Sequence, residues 1–162
     1  RAVIDRVPEA RHPDLVFVQN GMLRDFVAAA GLPRVTRGLL FFAVPKRGDD
    51  LTPGGVSPFW GPRAGEVVAW CEAHGIAAAE VEASAFAELE LEKLVWNSCF
   101  GLLCEALNAS VGELVNSHRP AVDALVLELA TLGAGAMDLA LSQLDLPAMA
   151  ERCCQYSESI PA

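Results

Sequence analysis

The chain has 162 residues, of which 52% are hydrophobic and 20% charged, with a formal net charge of -9. This balance supports a sizeable core and excludes wholesale disorder. The negative charge argues against a nucleic-acid backbone or an anionic membrane surface as the main partner, while leaving room for a locally basic pocket for a small anion. No apolar run reaches the ~18–20 residues of a membrane span. Arg1-Ala2-Val3-Ile4-Asp5-Arg6 carries charges where the apolar stretch of a signal peptide would lie.

In chain order, His12-Pro13-Asp14 leads into Leu15-Val16-Phe17-Val18, a short apolar run that predicts a strand buried on both faces, as in a parallel sheet. Gln19-Asn20-Gly21 ends it, and 22–30 reads as a helix stopped by Gly31 and Pro33. Asn20 then stands at the carboxyl end of a strand, where open α/β sheets place ligands. A second β-like run covers 36–44, followed by turns at 45–50 and 53–55. A short strand is expected at 56–60, a helix at about 63–73, and a last strand at 76–81. From 85 no strand candidate remains. One long helix or two joined end to end cover 86–107, and Asn108-Ala109-Ser110-Val111-Gly112 breaks the pattern. A further helix runs from near Pro120, a favoured first-turn residue, to about 144. Gly133 and Gly135 inside it suggest a close helix crossing. A final short helix starts at Pro147, and 156–161 reads as a loop. The chain is therefore α/β to about residue 84 and all-helical from 85 to 162, without repeats.

Five cysteines, Cys71, Cys99, Cys104, Cys153 and Cys154, include no CxxC pair, and no histidine cluster completes a metal site. Reduced, mostly buried thiols are expected, in an intracellular and cytoplasmic setting, with an organelle left open. His12, His74 and His118 fall in loops or at helix ends, with exposed roles as the default. The alternating glutamates at 80, 82, 88, 90 and 92 read as a solvated face. Gly133-Ala134-Gly135 lacks both the third glycine and the preceding strand of a dinucleotide loop.

The stretch from Glu92 to Leu103 has helical periodicity and is apolar almost all round, yet it holds Lys93 and Asn97. At a spacing of i, i+4 they share one helix face. Either Lys93 runs its ammonium out to solvent at the edge of a core helix, or the pair serves a site.

Three features fall in order: Gln19-Asn20-Gly21-Met22 after a strand, Lys93-Leu94-x-x-Asn97 inside a helix, and Asn108-x-x-x-Gly112-Glu113-Leu114 beyond it. This set resembles the ketopantoate reductase (2-dehydropantoate 2-reductase) family over nearly the whole chain, including Gly38-Leu39-Leu40-Phe41 and Trp60-Gly61-Pro62. The resemblance implies a Rossmann domain binding NADPH, of which 1–84 would be the carboxy-terminal portion. An all-helical, 6-phosphogluconate-dehydrogenase-like substrate and dimerisation domain would follow over 85–162, cut short, with the active site in the cleft between. It implies reduction of a small 2-keto acid in pantothenate biosynthesis. Lys93 would be the general acid, and Asn97 would bind substrate or hold the lysine. Asn20 would lie near the nicotinamide of the NADP cofactor, and Ser157 or Ser159 would stand for the family's substrate-binding serine. A homodimer is compatible with such a helical domain.

The departures are specific. Gly101 and Val111 replace two asparagines of the family, no glutamate follows the carboxy-terminal serines, and no GxGxxG is present. That glycine loop is expected upstream of Arg1, which would leave this chain inactive by itself. The alternative is a non-catalytic relative acting as a structural or interaction module.

Overall fold

The computed structural model describes residues 3–32, 34–44 and 46–158. The expected helix stop at Pro33 and the first residue of the turn at 45–50 lie outside them. The chain divides into two compact units, Arg1–Phe86 and Ala87–Ala162.

The first unit opens with two short 3-10 turns and holds β1 (Val16–Phe17), α1 (Arg24–Ala29), β2 (Thr36–Gly38), β3 (Phe42–Ala43), β4 (Thr52–Pro53), β5 (Ser57–Trp60), α2 (Ala64–Ala73) and β6 (Ala78–Glu80). Four strands form one mixed sheet in the order β1-β2-β5-β6. β1 with β2 and β5 with β6 are parallel, whereas β2 and β5 run antiparallel, Gly38 opposite Phe59. The strand expected at 15–18 pairs in parallel as expected, but its burial on both faces is corrected. β1 pairs along one side only and over two residues, and Val16 and Val18 are exposed while Phe17 is buried.

The β-like run at 36–44 is also two strands, not one. Past Leu39, whose N–H still donates to the Pro58 carbonyl at 3.0 Å, the chain leaves the sheet, and the Phe41 N–H donates to the Ser57 hydroxyl at 3.0 Å instead of to a ladder carbonyl. β3 then pairs with β4 as a separate antiparallel ribbon. Two small cores result, one around Ile4, Phe17, Val27, Leu32 and Val35, the other around Phe59, Ala64, Cys71 and Ala78. Gly61 fixes the close passage that joins β5 to α2. Its φ is +125°, and a Cβ there would stand 2.7 Å from the Thr36 Cα and the Val35 carbonyl oxygen, so no other residue fits without backbone movement.

α3 (Ala83–Leu107) begins at the end of the first unit and supplies the first helix of the second, followed by α4 (Val111–Ser117), α5 (Arg119–Ala136) and α6 (Leu146–Glu158). Asn108, in a left-handed conformation (φ 48°), lets the chain turn by 85° between α3 and α4. α4 lies where the sequence pattern shows only a break, and its start is a capping box. The Ser110 hydroxyl accepts from the Glu113 N–H, and the Glu113 carboxylate accepts from the Ser110 N–H at 2.8 Å.

α5 buries Val122, Val126, Ala130 and Ala134, a stripe at i, i+4 spacing. It ends at Ala136, not near 144. Met137 donates to both the Gly133 and Ala134 carbonyls, and Asp138 (φ 55°) turns the chain away. α6 extends through Glu158, so Tyr156 and Ser157 are helical and not in a loop. The remainder of that expected loop, 159–161, lies outside the described residues. One core of Leu91, Val95, Phe100, Leu114, the α5 stripe, Met149 and the thiols of Cys99, Cys153 and Cys154 unites the four helices. Gly133 marks the close crossing, since a Cβ on it would reach 2.5 Å from Leu91 Cδ1, whereas Gly135 faces open space. Among the described residues, no single helix is long and apolar enough to cross a membrane.

Candidate functional site

α3 is covered on most sides between residues 90 and 100, where Glu90, Leu91, Lys93, Val95, Cys99 and Phe100 are all buried. The glutamate face is therefore not fully solvated. Glu90 is 4% exposed, and the Glu92 carboxylate accepts from Arg152 of α6 at 2.6 Å. Lys93 does not run out to solvent: it is 8% exposed. Loss of water around it disfavours the charged form and holds its pKa below the ordinary lysine value of 10.5.

Its ammonium lies 6.0 Å from the centroid of the Tyr156 ring, at the outer reach of a cation–π contact. Burial in turn pushes the Tyr156 hydroxyl pKa up. Asn97 follows one turn later on the same helix face and is half-buried. An ammonium and an amide are thus presented together from a largely apolar helix.

Ser157 is 1% exposed, and its hydroxyl is used twice. It accepts the Trp96 indole N–H at 2.8 Å and donates to the Cys153 carbonyl at 2.7 Å. In this arrangement it ties α6 to α3. Ser159 lies outside the described residues. Asn20 is exposed, just past the carboxyl end of β1 and before Gly21 at φ +97°, and belongs to the first unit.

Lys93 has the Tyr156 ring as a neighbour, and Tyr156 in turn packs on Trp96; the motifs pointed to neither aromatic residue. Trp96 stacks on Phe100 at 5.6 Å and receives Tyr156 edge-on at 4.8 Å. The only signal was weak: Tyr156 is the chain's single tyrosine. Gly101 is exposed, and a Cβ added there would meet nothing within 4 Å.

Among the described residues, no group of three His, Cys, Asp or Glu side chains is arranged to hold a metal ion. None of the five cysteines is in a disulfide; four of them are buried and Cys104 is half-buried. His12 and His74 make local hydrogen bonds to the carbonyls of Val7 and Trp70. Gly133-Ala134-Gly135 lies inside α5, where its N–H groups serve the helix.

A separate groove of about 390 Å³ in the first unit is lined by Arg11, Asp14, Arg63 and Trp70 among others. Its charges neutralise one another, with Arg63 donating to both Asp14 and Glu66 and Arg11 paired with Asp14. Neither a protein-family model nor a curated protein matches this chain.

Proposed function

We propose that this chain is part of an NADPH-dependent reductase of a small 2-keto acid, ketopantoate or a relative, in which Lys93 is the general acid. The observation that carries the reading is the buried Lys93 ammonium, its proton loosened by desolvation, one turn from the half-buried Asn97 amide.

Reduction of a ketone places negative charge on its oxygen, and the group beside that oxygen must release a proton as the charge grows. A water molecule would do this poorly, whereas a lysine with a lowered pKa, while protonated, is a better donor than an exposed one. The same positive charge, little screened by solvent, attracts the carboxylate of a 2-keto acid. The Asn97 amide adds an N–H donor for the developing oxyanion or the carboxylate.

NADPH, when bound, supplies the hydride. Of the residues here, Asn20 fits the nicotinamide end, exposed past the carboxyl end of a parallel strand. No GxGxxG is present to cradle the pyrophosphate. The parallel β1–β2 and β5–β6 pairs support a Rossmann-type origin for the first unit, from which the antiparallel β2–β5 pair departs. The four-helix second unit supports the 6-phosphogluconate-dehydrogenase-like assignment. The absence of disulfides among the five cysteines supports an intracellular compartment, and exposed Leu102, Leu127 and Leu132 support a homodimer.

The test is NADPH oxidation by the complete gene product containing this chain, with ketopantoate and related 2-keto acids. Lys93→Ala is expected to lower kcat by about 10²–10⁴-fold. Full turnover by that variant ends the acid role. A folded protein without any NADPH-dependent turnover favours a non-catalytic relative, which Gly101 and Val111 already motivate.

A further inference from the structure

A second groove in the sheet unit has a volume of about 490 Å³ and is lined by Arg34, Trp60, Gly61, Pro62, Glu80 and Glu82 among others. The sheet topology brings these residues together. β2 runs antiparallel to β5, and β5 parallel to β6, so the approach to β2 and the exits from β5 and β6 lie at one end of the sheet. With neighbouring strands about 4.8 Å apart, β2 and β6 flank the Trp60 end of β5 at a separation of about 10 Å. The Trp60 ring is held by the Arg37 guanidinium at 5.3 Å and by Phe86 at 6.4 Å. The Glu80 carboxylate lies against the first turn of α2, where bare Gly65 leaves it room; a Cβ there would stand 3.2 Å from Oε2.

The two grooves of this unit differ in what their charges do. In the one around Arg63, Arg11 and Arg63 are paired with Asp14 and Glu66. In the one around Trp60, Arg34, Glu80 and Glu82 are all exposed, and among the described residues they make no ion pair and the Trp60 indole N–H has no acceptor. One donor fork, two carboxylates and an indole therefore surround one cavity with their binding capacity unspent.

We propose that this groove binds a basic α-amino acid of the arginine or lysine class. Arg34 and the Trp60 N–H take the carboxylate, the guanidinium as a two-pronged donor. Glu80 and Glu82 take the α-ammonium and the side-chain cation, and the carbons between lie along the indole. One guanidinium against two carboxylates leaves the groove with one excess negative charge. An amino acid of net charge +1 balances it, whereas a neutral or acidic one does not. The chain's net charge of -9 draws cations to it from solution. The site shares no residue with the Lys93 reading, so either can fail alone.

The experiment is a calorimetric titration of the complete protein with three probes. L-arginine carries all three charges, citrulline lacks the side-chain cation, and agmatine lacks the carboxylate. Arginine binds most tightly, the other two more weakly by roughly 2–5-fold each, and added salt weakens all three. Arg34→Gln abolishes the preference for arginine over agmatine, and Glu80→Gln with Glu82→Gln abolishes that over citrulline. The Trp60 indole N–H resonance, identified by its loss in Trp60→Phe, moves as arginine is added. No arginine binding at millimolar concentration overturns the proposal, as do equal affinities for the three probes. Binding that leaves the Trp60 resonance unmoved overturns it too, by placing the amino acid elsewhere. These last three readings need only the unaltered protein and Trp60→Phe.

Discussion

Each unit buries a cation against aromatic rings, and the two cations differ in kind. In the sheet unit, Arg37 is 8% exposed, with its guanidinium 5.3 Å from the Trp60 ring and 5.1 Å from Phe86. In the helical unit, Lys93 is equally buried and has the Tyr156 ring at 6.0 Å. Guanidinium groups keep their charge in proteins and stack flat on rings, whereas an ammonium gives its proton up more readily once desolvated. A buried cation of the first kind suits a scaffold, and one of the second kind suits chemistry.

The units also differ in what holds them. The sheet unit depends on short strands and close backbone passages, the helical unit on one continuous core containing several thiols. Gly61→Ala tests the first and carries the largest expected effect. With backbone atoms 2.7 Å from the new Cβ and φ at +125°, it should cost about 3 kcal/mol or more, measured by chemical denaturation.

Alkaline stability tests the second. Burial raises Cys99 from 9.0 to about 11 and Cys153 to about 12, so above pH 9 the unfolded chain loses these protons while the folded one keeps them. Stability is therefore fully present below pH 9 and falls as pH rises toward the folded values, by roughly 1.4 kcal/mol per thiol at pH 10. Lys93 opposes this trend. Its folded value is below 10.5, so its contribution to stability rises with pH up to that point. Cys99→Ala should flatten the alkaline loss and Lys93→Met should steepen it, both read from melting curves between pH 8 and 10.

Ser110→Ala removes the α4 cap and should cost about 1 kcal/mol. Gly101→Ala, exposed and mid-helix with open space around it, should gain up to about 1 kcal/mol. A loss there would mean that Gly101 serves something other than the helix.

Local rules made much of the fold readable in the residues. α2, β5 and the long α3 follow from periodicity and from the glycines and prolines that bound them. α4 was readable too, because Ser110-x-x-Glu113 is a capping box, but the neighbouring Asn108 and Gly112 read as a break. The end of α5 was hidden because leucines and alanines continue past Ala136, and only backbone conformation at Asp138 stops the helix. Lys93 and Asn97 stood out as polar residues in an apolar helix. Their aromatic and hydroxyl neighbours did not, since the Trp96–Ser157 bond joins residues 61 apart and no short-range pattern encodes such a pairing.

The Trp96–Ser157 bond has an optical consequence. Trp60 and Trp70 belong to the sheet unit and Trp96 alone to the helical one. With the first two replaced by phenylalanine, all indole emission would arise beside Lys93. Its wavelength would depend on whether the N–H still ends on Ser157, and its intensity on the Tyr156 ring packed 4.8 Å away. A small anion settling at the ammonium would then change the colour of the light this protein gives off.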